Sequence, residues 1–474
     1  MKRWPDRERG EVVKLCIIGN SVAAPRSEKE APFAGWGQFL GEYLSPYCEV
    51  RNYARDAMTA RGYYTERFLS LLNLLQQGDV VAVDFGGVEQ RIDKPGLYHS
   101  FRELREFLYL YLEGIRNEGA VPFLLTPAAR CVFEPDGTVA DTRDGYPQLI
   151  REVAAETGTP LVDLNAMTMQ MLRDLGPQRA RQYYRWVDAG EHPNHPDGLI
   201  DASHFNEAGA REVARMVAIG LSNAPGLPYG LVDAEAMAVA PPYPPLLTEF
   251  TVESPERALE SSSRVAEAPV FAGPRPGQAV SAMQKFWGSA APGTGYLLFF
   301  ARGDYIGGTR VNEQGKWTWR RAVKWTAGDH VIEAVGISEH GLSAVGRLSF
   351  EVWDTVEPPI VLGPREGTIS GPRPRFSGSA VPGVTQVMIM EGERLIAAAP
   401  VQKDGSWKVT HEHDWRPGTY SMEFVAIFSA IHSKPAPYTL RVHGVPEGNW
   451  IRHSTMSRLP CSDKCDHMPF AGRW

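Results

Sequence analysis

The 474-residue chain has only five cysteines, at positions 16, 48, 131, 461 and 465, which are too few and too scattered for a disulfide framework. It contains no apolar run near the roughly 18 residues that a transmembrane helix needs, so no membrane span is expected. Basic blocks are also missing, and a net charge of -7 with a pI near 6.0 argues against a general nucleic-acid binder. The charged first residues lack the apolar segment of a secretory signal, so no signal peptide is expected.

A chain of this length exceeds what one hydrophobic core supports, so two to four domains are expected. Residues 11–221 alternate apolar runs with amphipathic stretches, which is typical of a parallel sheet covered on both faces by helices. A helix is predicted within this region over residues 35–44. Four further segments are predicted: a Pro-rich linker over 222–266, two repeats over 267–354 and 357–444, and a C-terminal tail over 445–474.

The two repeats match each other with a period of 90 residues and no gap. Gly-Ser-Ala-Ala-Pro-Gly at 288–293 corresponds to Gly-Ser-Ala-Val-Pro-Gly at 378–383, and Gly-Lys-Trp at 315–317 to Gly-Ser-Trp at 405–407. Short alternating strands broken by Gly and Pro predict a small all-β sandwich for each repeat. The repeats resemble bacterial immunoglobulin-like modules, and the register indicates a tandem duplication.

The tryptophans of the repeats fall into two groups. Those that recur in register are interpreted as core residues: Trp317 with Trp407, and Trp325 with Trp415. Trp287 and Trp319 have no aromatic counterpart in the second repeat. They are interpreted as ordinary buried or exposed aromatics, with stacking against a glycan as the alternative.

Residues 12–18 form an almost continuous apolar run that stops at Gly19, Asn20 and Ser21. A β-branched run of this kind is typical of a central strand in a parallel sheet. A turn at Gly19 and Asn20 leaves Ser21 just past the carboxyl end of the strand, the edge at which open α/β sheets bind ligands. Ser21 is therefore a candidate nucleophile, with a turn residue or helix cap as the alternative.

Four blocks within residues 11–221 resemble those of the SGNH (GDSL-type) hydrolases, and most closely their rhamnogalacturonan-acetylesterase branch. The blocks are residues 19–21, 52–57, 85–89 and 201–206. The resemblance implies a flavodoxin-like three-layer α/β/α sandwich with a parallel sheet. It also implies a serine esterase that uses neither a metal nor another cofactor.

The chemistry of the blocks agrees with that resemblance. A serine hydroxyl is a poor nucleophile until a base takes its proton, and histidine is the base whose ordinary pKa suits neutral pH. Asp201 and His204 are three residues apart at the predicted entry to a helix, where one turn brings both side chains to one face. We assign Ser21 as nucleophile, His204 as general base and then acid, and Asp201 as the carboxylate that orients the imidazole.

The resemblance also implies three oxyanion donors, namely the backbone N–H groups of Ser21 and residue 57 and a side-chain amide at residue 88. Residue 57 is Ala57 in place of glycine, which keeps the N–H, whereas Val88 in place of asparagine has no side-chain donor. Losing one such donor typically costs about 10²–10³ in rate. The remaining pocket candidates are Asn20, Gly86, Gly87, Glu89 and Gln90. Glu89 is expected to add negative charge beside the site, and Gln90 offers a replacement amide.

The predicted function is a carbohydrate esterase that removes acetyl or other short acyl groups from a polysaccharide through an acyl-serine intermediate. Two alternatives stay open: a glycan-binding surface protein whose hydrolytic site has decayed, and an acyltransferase that uses the same triad. The expected partner is an acylated carbohydrate, and no oligomeric state follows. The immunoglobulin-like repeats favour an extracellular or cell-surface location, whereas the missing signal peptide favours the opposite.

Two clusters of metal-binding residue types receive no metal assignment. His192 and His195 lie in a short Pro-containing loop and are interpreted as loop residues beside the pocket. Cys461, Cys465 and His467 form a single cluster in the tail, which falls short of the ligand pairs of a typical zinc site.

Overall fold

The computed structural model describes residues 12–228, 230–238, 264–338, 341–411, 413–429 and 431–443. The chain divides into two compact units, Met1–Thr355 and Val356–Trp474. The first unit holds an α/β domain and the first β-repeat, and the second unit holds the second β-repeat. The tail cluster of Cys461, Cys465 and His467 lies outside the described residues, as does much of the predicted linker.

Five parallel strands form the sheet of the α/β domain, in the order β2-β1-β3-β4-β5. Their bounds are β1 Val13–Gly19, β2 Cys48–Asn52, β3 Val80–Asp84, β4 Val121–Leu125 and β5 Leu161–Val162. The chain leaves β1 toward one edge of the sheet and returns on its other side at β3. The carboxyl ends of β1 and β3 therefore form the topological switch point, the usual ligand site of such sheets.

Helices cover both faces of this sheet. They are α1 Ala60–Tyr63, α2 Leu69–Leu72, α3 Phe101–Asn117, α4 Tyr146–Thr157, α5 Leu164–Ala180, α6 Glu207–Asn223 and α7 Ala234–Ala238, with a π-helical turn Tyr64–Phe68 between α1 and α2. Successive strand residues point to opposite faces, so Ile17 lies in one core with Leu172 of α5 and Val213 of α6. Ile18 lies in the other with Leu108 of α3 and helices α1, α2 and α4. The predicted flavodoxin-like three-layer α/β/α sandwich is confirmed.

The segment 35–44 does not form the predicted helix. It makes two short 3₁₀ turns instead, Trp36–Gln38 and Leu40–Tyr43. Three glycines in ten residues raise the conformational cost of an α-helix there. The fully buried Trp36 also holds the backbone in place, because its indole N–H donates to Asp84 Oδ2 at 3.0 Å.

A hairpin that the strand and helix pattern did not predict follows α5. Its strands, β6 Tyr184–Val187 and β7 Leu199–Phe205, are antiparallel and lie outside the main sheet.

No helix among the described residues is both long and apolar enough to cross a membrane.

The first β-repeat consists of two facing sheets. Its strands are β8 Arg264–Ala266, β9 Val270–Gly273, β10 Gln278–Ser281, β11 Lys285–Ser289, β12 Thr294–Ala301, β13 Asp304–Arg310, β14 Lys316–Arg320, β15 Gly328–Ser338, β16 Gly341–Ser343 and β17 Gly346–Trp353. One sheet has the order β14-β11-β9, and the other contains β10-β17-β15-β12-β13. Phe286 and Trp317 of the first sheet pack against Phe299 and Phe350 of the second in one core.

The second β-repeat has the same arrangement as strands β9–β17 of the first, and β8 has no counterpart strand among its described residues. Its strands are β18 Ile360–Gly363, β19 Ile369–Ser370, β20 Arg375–Ser379, β21 Gln386–Glu391, β22 Arg394–Pro400, β23 Ser406–Thr410, β24 Gly418–Phe428, β25 Ile431–His432 and β26 Ala436–Val442. Its sheets have the orders β18-β20-β23 and β19-β26-β24-β21-β22. The 90-residue sequence period therefore corresponds to a repeated β-fold. The immunoglobulin-like class and the exact domain boundaries stay predictions.

The tryptophans that recur in register are buried, as expected for core residues: Trp317, Trp325, Trp407 and Trp415. Trp319 is also buried and stacks on Phe299 with ring centroids 4.3 Å apart, so it is not available to a glycan. Trp287, by contrast, is 44% exposed.

Candidate active site

Ser21 lies at the switch point of the parallel sheet, two residues after the end of β1. Gly19 makes this possible, because a Cβ atom at that position would lie only 2.7 Å from the carbonyl oxygen of Asp84 in β3. The two strands can therefore end side by side. The loop 86–90 that follows β3 then begins next to Ser21.

A continuous chain of hydrogen bonds joins the three residues predicted to act together. Ser21 Oγ lies 2.8 Å from His204 Nε2, and His204 Nδ1 lies 2.7 Å from Asp201 Oδ2. The side chains of His204 and Asp201 are 27% and 20% exposed, so the chain is shielded yet reachable from solvent. This geometry allows the serine proton to pass to the imidazole while the carboxylate holds the ring.

The predicted helix entry at Asp201 and His204 is wrong, since both residues lie in strand β7. The strand pairing jumps from Tyr184 opposite Phe205 to Arg185 opposite Asp201, so residues 202–204 bulge out of the ladder. The bulge re-aims His204 toward Asp201, a common use of bulges beside active sites.

Backbone contacts fix the bulge. Asp201 Oδ1 accepts from the N–H groups of Ser203 at 2.9 Å and His204 at 3.2 Å, which leaves Oδ2 for the imidazole. At the end of the strand, the Phe205 carbonyl accepts from the Ala34 N–H at 3.0 Å. The His204 ring is thereby held at a defined position over Ser21.

Charged and aromatic groups surround the imidazole. The Phe33 ring lies 4.7 Å from the His204 ring, and the guanidinium groups of Arg26 and Arg185 lie over Phe33 at 3.7 Å and 4.7 Å. Burial by itself raises the pKa of Asp201, but hydrogen bonding and the charge interaction with His204 hold that pKa below its usual value. Asp201 therefore stays ionised and can stabilise an imidazolium.

Arg26 also contacts the nucleophile segment directly. Its Nη2 donates to the Ser21 carbonyl oxygen at 2.9 Å, and the same guanidinium pairs with Asp56. Nothing in its sequence position pointed to this role, because Arg26, Phe33 and Arg185 reach the site only through tertiary packing.

The two backbone N–H groups predicted to receive an oxyanion are those of Ser21 and Ala57. Neither Ser21 nor Ala57 donates its N–H to another described residue. Ala57 has φ of +53°, the left-handed region that favours glycine, so alanine at this position carries some backbone strain. Val88 offers no side-chain donor, and its own N–H bonds to the Glu89 carboxylate at 3.1 Å.

The loop 86–90 is organised around Glu89. This fully buried carboxylate accepts from the N–H groups of Ala60 at 2.7 Å, Gly86 at 2.8 Å and Val88 at 3.1 Å. Burial raises the pKa of Glu89, and these hydrogen bonds oppose that rise. The negative charge of Glu89 therefore interacts with backbone N–H groups of its own loop and of Ala60 in α1. The Gln90 amide is likewise engaged, donating to the Gly87 carbonyl at 3.1 Å.

Hydrogen bonds of Asn20 and Asp84 hold the turn that follows β1 in place. The Asn20 amide donates to the Asp84 carbonyl at 3.4 Å, and its oxygen accepts from the Val22 N–H at 3.1 Å. Burial raises the pKa of Asp84 to about 6, while the hydrogen bond from Trp36 and the charge of Arg143 oppose the rise. Asn20 thus fixes the turn through both the amide and the oxygen of its side chain.

The loop histidines do not form a metal centre with their neighbours. His195 Nε2 lies 3.4 Å from Arg185 Nη2, an unsuitable neighbour for a cation. Across the described part of the chain, no group of three His, Cys, Asp or Glu side chains is arranged to hold a metal ion.

Comparison with known proteins gives relatives for the α/β domain. No protein-family model matches the chain. The rhamnogalacturonan acetylesterase RhgT of Bacillus subtilis is 33% identical over 217 residues, which are 46% of this chain and 92% of RhgT. YesY of the same organism, a probable rhamnogalacturonan acetylesterase, is 29% identical over 41% of this chain and 85% of its own. The crystal structure of Bacillus subtilis YxiM, 25% identical, matches with a TM-score of 0.39 over 44% of this chain and 56% of its own.

Proposed function

Because the chain belongs to the rhamnogalacturonan acetylesterase family of SGNH-type hydrolases, we propose that it removes acetyl groups from an acidic polysaccharide by means of a Ser21-His204-Asp201 triad. The observation that carries the proposal is the hydrogen-bonded sequence from Ser21 Oγ through His204 to Asp201, with distances of 2.8 Å and 2.7 Å. It lies at the switch point of the sheet, where such folds bind ligands.

The reaction follows from this geometry. Ser21 Oγ attacks the ester carbonyl carbon as its proton passes to His204 Nε2, and Asp201 stabilises the imidazolium. The carbonyl oxygen becomes an oxyanion that the N–H groups of Ser21 and Ala57 stabilise. His204 returns the proton to the departing sugar hydroxyl, which leaves an acetyl-serine. Water, deprotonated by His204, then attacks the acetyl carbon and releases acetate and free Ser21.

Two observations support an acidic polysaccharide as the substrate. RhgT and YesY, which match over 92% and 85% of their own length, are named for rhamnogalacturonan, a polymer that contains uronic acid. In addition, Arg26 and Arg185 lie over the Phe33 ring, which contacts the imidazole, and Arg130 lies close enough for Asp201 to act on its pKa. Such cations attract a carboxylated chain toward the cleft.

The substrate test compares acetylated rhamnogalacturonan with acetylated xylan, a neutral chain. We expect acetate release from rhamnogalacturonan to be faster by about tenfold or more in kcat/KM. Equal rates on both polymers would contradict the acidic substrate. Binding without acetate release would instead favour the glycan-binding alternative, and acetyl transfer to an added sugar in preference to water would favour the acyltransferase.

Val88→Asn is expected to raise kcat. An amide at this position supplies the side-chain donor that the site lacks, and one oxyanion donor is worth about 10²–10³ in rate when well placed. We expect a gain of about tenfold or more, measured as kcat on p-nitrophenyl acetate. Val88→Ala serves as the control, because it changes the volume without adding a donor. A Val88→Asn variant no faster than this control would show that the oxyanion is held elsewhere.

A further inference from the structure

The first β-repeat is joined to the α/β domain by specific polar contacts. Asn312 Nδ2 donates to Asp197 Oδ1 at 2.6 Å. Lys324 donates its backbone N–H to the Phe133 carbonyl at 2.8 Å and pairs through Nζ with Glu134 Oε1 at 2.7 Å. These bonds fix the repeat beside the loop that leads into β7.

One face of the sheet β14-β11-β9 meets this loop, and we call it the docked face. Its members alternate with the core residues of β11 and β14: Lys285, Trp287, Thr318 and Arg320. Gly198, with φ of +75°, allows a close approach, because a Cβ atom there would lie 2.7 Å from Thr318 Cγ2. Strand β14 consequently lies against the start of β7, two residues before Asp201.

The docked face brings two cations next to each other. Lys285 lies directly opposite Arg320 in the strand pairing, so both side chains share this face. Like charges directly opposite each other are destabilising unless an anion lies between them or beside them. Among the described residues, Arg320 Nε is buried and has no hydrogen-bond partner.

The carboxylates near this pair of cations already have other hydrogen-bond partners. Burial lowers the pKa of Arg320, and the charge of Asp201 opposes that shift. Burial also lowers the pKa of Lys285, and the charge of Asp197 opposes it. Asp201, however, is already bound to His204 and two backbone N–H groups, and Asp197 is bound to Asn312. The two cations can therefore bind a further anion.

An exposed aromatic ring completes the face. Trp287 lies opposite Thr318, packs over Gly273 and is 44% exposed. An indole ring offers a flat apolar surface together with a polar edge, which suits a surface that is partly wet. The ring stands two residues from Lys285 on the same strand face.

We propose that Lys285, Arg320 and Trp287 form a subsite for a carboxylated sugar chain, in which the cations bind a uronate carboxylate and Trp287 stacks on a sugar ring. The subsite rests on the proposed function, since β14 contacts β7, the strand that contains Asp201 and His204. It extends the substrate cleft onto the first β-repeat.

The second repeat offers a built-in comparison, because the docked face is not preserved in it. At the 90-residue spacing, the counterparts of Trp287, Asn312, Thr318 and Arg320 are Ser377, Gln402, Lys408 and Thr410. Of the two cations on the docked face, only Lys285 has a cation at its counterpart position, Arg375, which is exposed. Arg375→Ala is therefore a matched control for Lys285→Ala.

The kinetic test uses the full chain with acetylated rhamnogalacturonan oligosaccharides and with p-nitrophenyl acetate. For Trp287→Ala and Lys285→Ala, we expect the ratio of the two kcat/KM values to shift about tenfold against the oligosaccharide, through KM. Arg375→Ala is expected to leave this ratio unchanged. An unchanged ratio in both Trp287→Ala and Lys285→Ala would overturn the subsite.

A binding test separates this proposal from the proposed function. Ser21→Ala protein is titrated with unacetylated oligogalacturonate and with neutral xylo-oligosaccharide by calorimetry. We expect Lys285→Ala, added to Ser21→Ala, to weaken oligogalacturonate binding about tenfold, and the neutral chain to bind more weakly. If Lys285→Ala left the affinity for oligogalacturonate unchanged, the subsite would be overturned. Equal affinity of the Ser21→Ala protein for oligogalacturonate and for xylo-oligosaccharide would overturn it as well. Failure of the wild type to release acetate would overturn the proposed function alone.

Discussion

Ser21→Ala is expected to lower kcat for ester hydrolysis by about 10⁴–10⁶-fold. The substitution removes the hydroxyl that we propose forms the acetyl-serine, whereas the fold at the end of β1 is kept, since Ser21 is only half-buried. The oxyanion donors and the substrate cleft remain, so a small residual rate above the uncatalysed reaction is expected. The measurement is kcat on p-nitrophenyl acetate and on acetylated rhamnogalacturonan.

A matched control lies six residues downstream. Ser27 is exposed and donates only to Glu30 Oε2, so Ser27→Ala should keep wild-type activity. A fluorophosphonate probe gives a second readout, because it labels only an activated serine and should label wild type and Ser27→Ala but not Ser21→Ala. Retention of a substantial part of the activity in Ser21→Ala would exclude Ser21 as the nucleophile.

Asp201→Asn is expected to lower kcat by about 10⁴-fold through the wrong imidazole tautomer. Oδ1 of Asp201 accepts from two backbone N–H groups, and Oδ2 accepts from His204 Nδ1. The amide oxygen of an asparagine would occupy the Oδ1 position, which turns its NH₂ group toward Nδ1. His204 would then carry its proton on Nε2 and could not accept the proton of Ser21.

The tautomer makes this prediction distinguishable from a loss of folding. Nitrogen-15 NMR of the imidazole should show the proton on Nδ1 in the wild type and on Nε2 in Asp201→Asn. Asp174→Asn, an exposed position on α5, is the control and should keep both the wild-type tautomer and the rate. Wild-type activity in Asp201→Asn would exclude the carboxylate from the mechanism.

Val88 stands where the resemblance implies an asparagine, and this difference affects how an oxyanion can be stabilised. Ala57 supplies its N–H only by holding a left-handed conformation, and Val88 supplies no side-chain donor. The family relation and the intact hydrogen-bonded triad nevertheless favour an active ester hydrolase over a decayed site. The Val88→Asn and Ser21→Ala variants together separate a slow enzyme from an inactive one.

Local patterns in the sequence determined the parallel α/β sandwich, the duplicated β-repeats and the position of Ser21 past the first strand. Apolar runs, helical spacing and Gly-Pro breaks act over a few residues, so they can be read without a structure. The same locality explains the error at 35–44, where helical spacing outweighed the three glycines, and the missed hairpin at 184–205.

The tertiary structure alone decided how the site is assembled. The bulge at residues 202–204 depends on pairing with β6, and the inward turn of Glu89 depends on the N–H of Ala60. The contact of Thr318 with Gly198 joins residues 120 positions apart in the chain. Such contacts leave no periodic signal in the sequence, because they depend on which surfaces meet after folding. The residues of the proposed triad could therefore be named from the sequence, whereas the position of the first β-repeat beside them could not.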